Sequence, residues 1–86
     1  MYLPEEEKVL AICHVVSRDR GRMTRLQIAR AIGYADARPV VELLEELARK
    51  GVIDKIHGVA RNKRVRYEYQ ENTETQNFML LMKDYA

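Results

Sequence analysis

The chain has 86 residues, 47% apolar and 33% charged, with a net charge of +2; this composition excludes an intrinsically disordered chain and fits one small domain with a thin core. No apolar run reaches the roughly 18 residues of a membrane helix, and a lone cysteine, Cys13, excludes an internal disulfide and a paired-cysteine zinc site. The small net charge conceals two basic blocks: residues 18–38 hold six arginines against two acids, and residues 55–66 hold five cations and no acid.

Residues 1–7 lack the basic and apolar stretches of a secretion signal, so a soluble, cytoplasmic protein with no membrane partner is expected. Pro4 followed by Glu5, Glu6 and Glu7 is a helix start, since proline needs no amide partner there and acids favour the positive end of the helix dipole. Val9, Leu10, Ile12, Cys13 and Val16 then recur at three- and four-residue spacing and predict a helix over 4–18. On that face the Cys13 thiol behaves as a small hydrophobe. An intersubunit disulfide stays open if the same face meets a second copy.

Thr24 and Gln27 have the spacing of a capping box, with Met23 and Ile28 placed as its hydrophobic staple. They predict a second helix over 25–32, stopped by Gly33 in a left-handed cap. After the short turn through Tyr34, Asp36 can cap a third helix with Pro39 in its first turn. Val40, Leu43, Leu44 and Leu47 form that helix's buried face, and Gly51 ends it. By the same spacing Glu42 and Glu45 lie on the exposed side.

The period then changes to two. Residues 52–57 predict one strand, and Val65, Tyr67 and Tyr69 alternating with Arg64, Arg66 and Glu68 predict a second. A turn-tolerant connection over 58–62 joins them into a hairpin. A two-stranded hairpin is marginal alone, so this one must lean on the helices through Val65, Tyr67 and Tyr69. Thr73 and Gln76 match a second capping box, and Phe78, Leu81, Met82 and Tyr85 follow at i, i+3, i+4, i+7 of a final helix.

Three helices, a basic hairpin and a terminal helix resemble the winged helix-turn-helix superfamily. The resemblance rests on residues 40–53, Val-Val-Glu-Leu-Leu-Glu-Glu-Leu-Ala-Arg-Lys-Gly-Val-Ile, which look like the end of a recognition helix running into a first wing strand. Residues 23–33, Met-Thr-Arg-Leu-Gln-Ile-Ala-Arg-Ala-Ile-Gly, look like the preceding helix of the same unit. It implies a mainly α fold with a small β-hairpin: a three-helix core plus a two-stranded wing over 1–71, and an additional C-terminal helix over 72–86.

The same resemblance implies a sequence-specific regulator of transcription that binds double-stranded DNA. The third helix would enter the major groove, presenting Ala37, Arg38, Val41 and Glu42. Arg22, Thr24, Arg25 and Tyr34 would lie near phosphates, and Arg61, Asn62, Lys63 and Arg64 would carry the wing to the backbone or minor groove. Arginine suits both roles, because its fork matches phosphate and guanine edges. Arg38 has a second option, pairing with Asp36 or Glu42.

Two further readings stay open. Glu42, Glu45 and Glu46 would repel phosphates, so an acidic third helix docking a basic protein in a replication or transcription assembly is the alternative. RNA is a weaker fit, since exposed aromatics for stacking are not evident. Six apolar residues among the eight from Phe78 to Tyr85 exceed the needs of a thin core. The terminal helix therefore packs back on the first helix or also pairs a homodimer through Phe78, Leu81, Met82 and Tyr85. No catalytic set, phosphate loop or metal-ligand spacing is readable around His14 or His57, so no enzyme activity, metal, cofactor or small-molecule ligand is expected.

Overall fold

The structure is a computed structural model and describes residues 4–19, 21–59 and 65–84. Four helices, α1 (Glu5–Asp19), α2 (Arg25–Ala31), α3 (Arg38–Arg49) and α4 (Thr73–Asp84), surround a sheet of β1 (Met23–Thr24), β2 (Ile53–Val59) and β3 (Val65–Glu71). The fold is a winged helix-turn-helix with an added terminal helix. Its core joins Ile12, Val16, Ile28, Val40, Leu44, Ile53 and Tyr69, all essentially without solvent contact. That core is where the apolar periodicities of three helices converge.

The capping box closes as the Thr24–Gln27 spacing requires. The Gln27 amide donates to Thr24 Oγ1 at 3.2 Å and the Thr24 amide donates to Gln27 Oε1 at 2.9 Å. Both glycines that stop helices take positive φ, 103° at Gly33 and 79° at Gly51. In each case the next amide reaches back to close the helix end: Tyr34 N–H to the Ala29 carbonyl at 3.0 Å, and Val52 N–H to the Leu47 carbonyl at 2.9 Å. The chain therefore turns sharply twice, once inside the helix-turn-helix and once into the wing.

Four expectations need correction. The sheet has three strands in the order β1-β3-β2, because Met23 and Thr24 pair antiparallel with Tyr69 and Glu68. Asp36 is not the residue adjacent to α3; Ala37 is, without a side-chain cap, and Asp36 Oδ1 accepts the Arg38 amide from one position earlier. The cap of α4 is likewise shifted. Asn72 Oδ1 accepts the Glu74 amide at 2.8 Å and Thr75 Oγ1 accepts the Asn72 amide at 3.0 Å, while Gln76 donates to Ser17 Oγ on α1. Val65 does not lean on the helices: burial falls along β3 from Tyr69, which is fully buried, through half-buried Tyr67 to Val65, which is 60% exposed.

The terminal helix packs on α1 through a face rotated from the expected stripe. Thr75 and Met79 are its buried residues, and Thr75 Oγ1 donates to the buried Val52 carbonyl at 2.6 Å. Phe78 is partly buried against the core, and Met82 is half-buried beside Val9, Leu43, Leu47 and Phe78. Leu80 and Leu81 are each 61% exposed, and Tyr85 lies outside the described residues.

Candidate nucleic-acid interface

The helix-turn-helix surface begins with the turn at Gly33. It swings the chain so that α3 buries Val40, Leu43, Leu44 and Leu47 and turns its other side outward. On that outer side Arg38 and Glu42 are exposed and Ala37 and Val41 are half-buried. Arg38, first residue of α3, resolves its open choice in favour of Asp36: its Nε and Nη2 donate to the two carboxylate oxygens at 3.2 and 2.9 Å. The guanidinium fork holds the Asp36 carboxyl below its ordinary value. The pair is local, and Arg38 remains 91% exposed, so its planar face stays accessible to a ligand.

Arg25, first residue of α2, behaves differently. Its Nε donates to Tyr69 Oη at 2.9 Å and its Nη2 to Glu45 Oε1. Glu45 Oε1 also accepts the Tyr69 hydroxyl at 3.0 Å, and its Oε2 accepts Lys55 Nζ at 2.7 Å. The Tyr67 ring lies beside both cations, with the Arg25 guanidinium 4.6 Å and Lys55 Nζ 4.3 Å from its centroid. His57 meets the same ring edge-on at 4.9 Å. One carboxylate on α3 thus gathers groups from the start of α2, from β2 and from β3.

Electrostatics agrees with that geometry. The Lys55 hydrogen bond, opposed by desolvation and reinforced by Tyr69 and Arg25, takes the Glu45 carboxyl from its ordinary value near 4.5 down to about 2. The expectation that Glu45 belongs to a bare acidic surface is therefore corrected. It is half-buried and bound by two cations, and Glu46 is paired with Lys50 at 3.2 Å. Helical spacing put Glu45 on the outer side of α3, but could not say that the hairpin folds over that side. The acidic helix that motivated a protein-docking reading is reduced to Glu42.

The other candidate residues are distributed around this frame. Arg22 is exposed just before β1, and Thr24 is committed to its cap. Tyr34 packs on the core in the turn, with Lys8 Nζ 5.6 Å from its ring centroid. Arg61, Asn62, Lys63 and Arg64, expected at the wing tip, lie outside the described residues; β2 and β3 are paired up to Val59 and Val65. Sequence reasoning missed Lys55, Tyr67 and Glu45 as one cluster. The available signal was period two in the hairpin, which puts Lys55 and Tyr69 on one face with His57 and Tyr67.

Cys13 is buried in α1, and burial pushes its thiol up to about 11, the behaviour of an inert core group. Among the described residues no group of three or more His, Cys, Asp or Glu side chains could hold a metal ion, and no helix is long and apolar enough to cross a membrane.

Residues 9–62 match the family model of the LexA DNA binding domain. The chain is 33% identical over 79 residues to the LexA repressor of Pseudoalteromonas atlantica, covering 91% of this chain and 38% of that protein. It is 39% identical over 57 residues to the LexA repressor of Delftia acidovorans, covering 66% and 25%, and 32% identical over 81 residues to that of Aeromonas hydrophila, covering 93% and 39%. The chain spans well under half the length of these curated relatives. The family match ends inside the wing, so α4 lies beyond it.

Proposed function

This chain belongs to the LexA DNA-binding domain family, and from that premise we propose that it is a sequence-specific regulator of transcription that binds double-stranded DNA. The observation that carries the reading is the outer side of α3. Its start holds a 91% exposed arginine beside Val41 and Glu42, on a helix fixed from behind by four buried aliphatic residues. In the bound state Arg38 exchanges Asp36 for a base edge, Glu42 accepts from a cytosine amino group, and Val41 and Ala37 make apolar contacts.

Phosphate contacts come from Arg22, the first turn of α2 at Thr24 and Arg25, and Tyr34. Arg25 has five N–H donors, of which Tyr69 and Glu45 take two. Arg61, Asn62, Lys63 and Arg64 carry the wing along the adjacent backbone or minor groove. The relatives are named repressors, and by that likeness the chain represses by occupying a site near a promoter. Residues 1–71 supply the DNA-binding unit. The helix over 72–86 pairs two copies through Leu81, Phe78, Met82 and Tyr85, so that they read half-sites about one DNA turn apart. The 61% exposure of Leu81 supports this pairing.

The test is fluorescence anisotropy on labelled duplex at about 50 and 200 mM salt, with the wild-type chain and the triple variant Arg61→Ala, Lys63→Ala, Arg64→Ala. Wild type loses at least about tenfold in affinity across that range, and the triple variant binds all sequences more weakly with a flatter salt dependence. Absence of binding at the lower salt sinks the reading. Sedimentation of wild type against Leu81→Glu tests the pairing, which fails if the two sediment alike.

A further inference from the structure

We propose that Glu45 is a positioning residue for DNA recognition: by holding Arg25 and Lys55 together it fixes the angle between α3 and the wing. The proposal rests on the DNA-binding reading above and goes beyond it, because Glu45 itself is assigned no DNA contact. Elementary electrostatics argues against an acid on this side of α3, since a carboxylate within about 10 Å of phosphates repels them. Its presence there calls for a compensating role.

The contacts identify that role. The helix that reads bases and the hairpin that follows the backbone are joined covalently only through the turn at Gly51 and Val52. Beyond that turn, Glu45 ties them from the side. Oε2 takes Lys55 of β2, and Oε1 takes both Tyr69 of β3 and Arg25 of α2. Tyr69 is fully buried, so its hydroxyl needs an acceptor there, and Glu45 supplies it. Arg25 and Lys55, only 27% and 22% exposed, close on the Tyr67 ring at the root of the wing. Two DNA-contacting elements held at a fixed angle pay the ordering cost of recognition before the ligand arrives.

The opposing account makes Glu45 a mask over two cations that phosphates would otherwise use. The two accounts predict opposite signs for Glu45→Gln, which keeps the shape and an acceptor oxygen for Tyr69 but removes the charge. Binding of the full chain to a selected duplex and to an unrelated one would be measured for wild type, Glu45→Gln, Glu45→Asp, Lys55→Gln and the double variant Glu45→Gln, Lys55→Gln. A positioning role requires Glu45→Gln to weaken the selected duplex about tenfold and the unrelated duplex far less. It requires Glu45→Asp, which keeps the charge but falls short of its partners, to weaken it too. In the Lys55→Gln background the effect of Glu45→Gln is smaller than in wild type, because the Lys55 contact is already gone and the Arg25 contact alone remains to be lost; an undiminished effect overturns the proposal.

Melting curves confirm that each variant is folded at the assay temperature, and Glu45→Asp carries the test if Glu45→Gln is not. Equal or tighter binding by the folded variant overturns the proposal, as does equal weakening on both duplexes. A wild-type chain that binds no duplex overturns the DNA reading and this inference together, whereas wild-type binding with an unweakened variant overturns the inference alone.

Discussion

Arg25 and Arg38 each open a helix of the same helix-turn-helix, and each faces a carboxylate, yet they occupy opposite physical situations. Arg38 pairs with a residue two positions away, at the surface, where water competes for every bond. Such pairs contribute little to stability and break readily in favour of a better partner. Arg25 reaches Glu45 and Tyr69, 20 and 44 positions distant, and is three-quarters withdrawn from solvent. The first arrangement suits an arginine that must change partners; the second suits one that holds elements together. Residue type alone does not separate an arginine proposed to read bases from a bracing one. What separates them is the sequence distance to the partner and the water left around it.

The contrast can be broken most thoroughly from beneath. Leu44→Ala, at a fully buried position of α3, removes the frame that orients both arginines and lowers stability by about 2–5 kcal/mol in denaturant melts. A smaller and more selective effect follows from Arg38→Ala. It costs about 1–3 kcal/mol of discrimination between the selected site and single-base variants, with an unchanged melting midpoint. Arg25→Met does the reverse on the stability side, losing about 1 kcal/mol in a melt because Tyr69 and Glu45 lose a charged partner in a largely but not fully buried setting. Equal shifts in melting for Arg25→Met and Arg38→Ala would erase the distinction.

Acid titration gives the smallest effect and sharpens the same point. The Glu45 carboxyl is held at about 2 in the folded chain against an ordinary value near 4.5. Its contribution is therefore complete above pH of about 4.5 and is lost as the pH falls toward 2. With Glu45 partly solvated, screening limits the amount to about 1 kcal/mol or less. The difference in stability between wild type and Glu45→Gln should accordingly shrink over that window, and a constant difference from pH 6 to pH 2 would contradict the bracing arrangement.

The parts of the fold that were legible in the sequence are those set by neighbours in the chain. The Thr24–Gln27 box, the stops at Gly33 and Gly51 and the buried face of α3 each depend on residues within a turn or two of one another, and each forms as its spacing requires. What was not legible depends on partners far along the chain. Two residues, Met23 and Thr24, carry no strand signal of their own and become β1 only because β3 offers an edge. The fourth helix carries apolar residues on most sides, so periodicity selected the Phe78 stripe where packing against α1 chose Thr75 and Met79. Glu45 followed the same logic. Its angle on α3 was readable, but its surroundings were made by residues 55, 67 and 69, which the hairpin brings back over the helix.

The two-residue strand β1 also bears on the order in which the molecule assembles as it is synthesised. Helix α2 begins immediately after Thr24, whose partner in the sheet is Glu68, and its first residue waits for the Tyr69 hydroxyl. Local signals let the body of α2 and all of α3 fold early, since contacts close in sequence form fastest. The N-terminal edge of the helix-turn-helix is completed only when the last strand has emerged, some 45 residues later. A nascent chain halted within the wing would carry its recognition helix without the strand that anchors the helix in front of it.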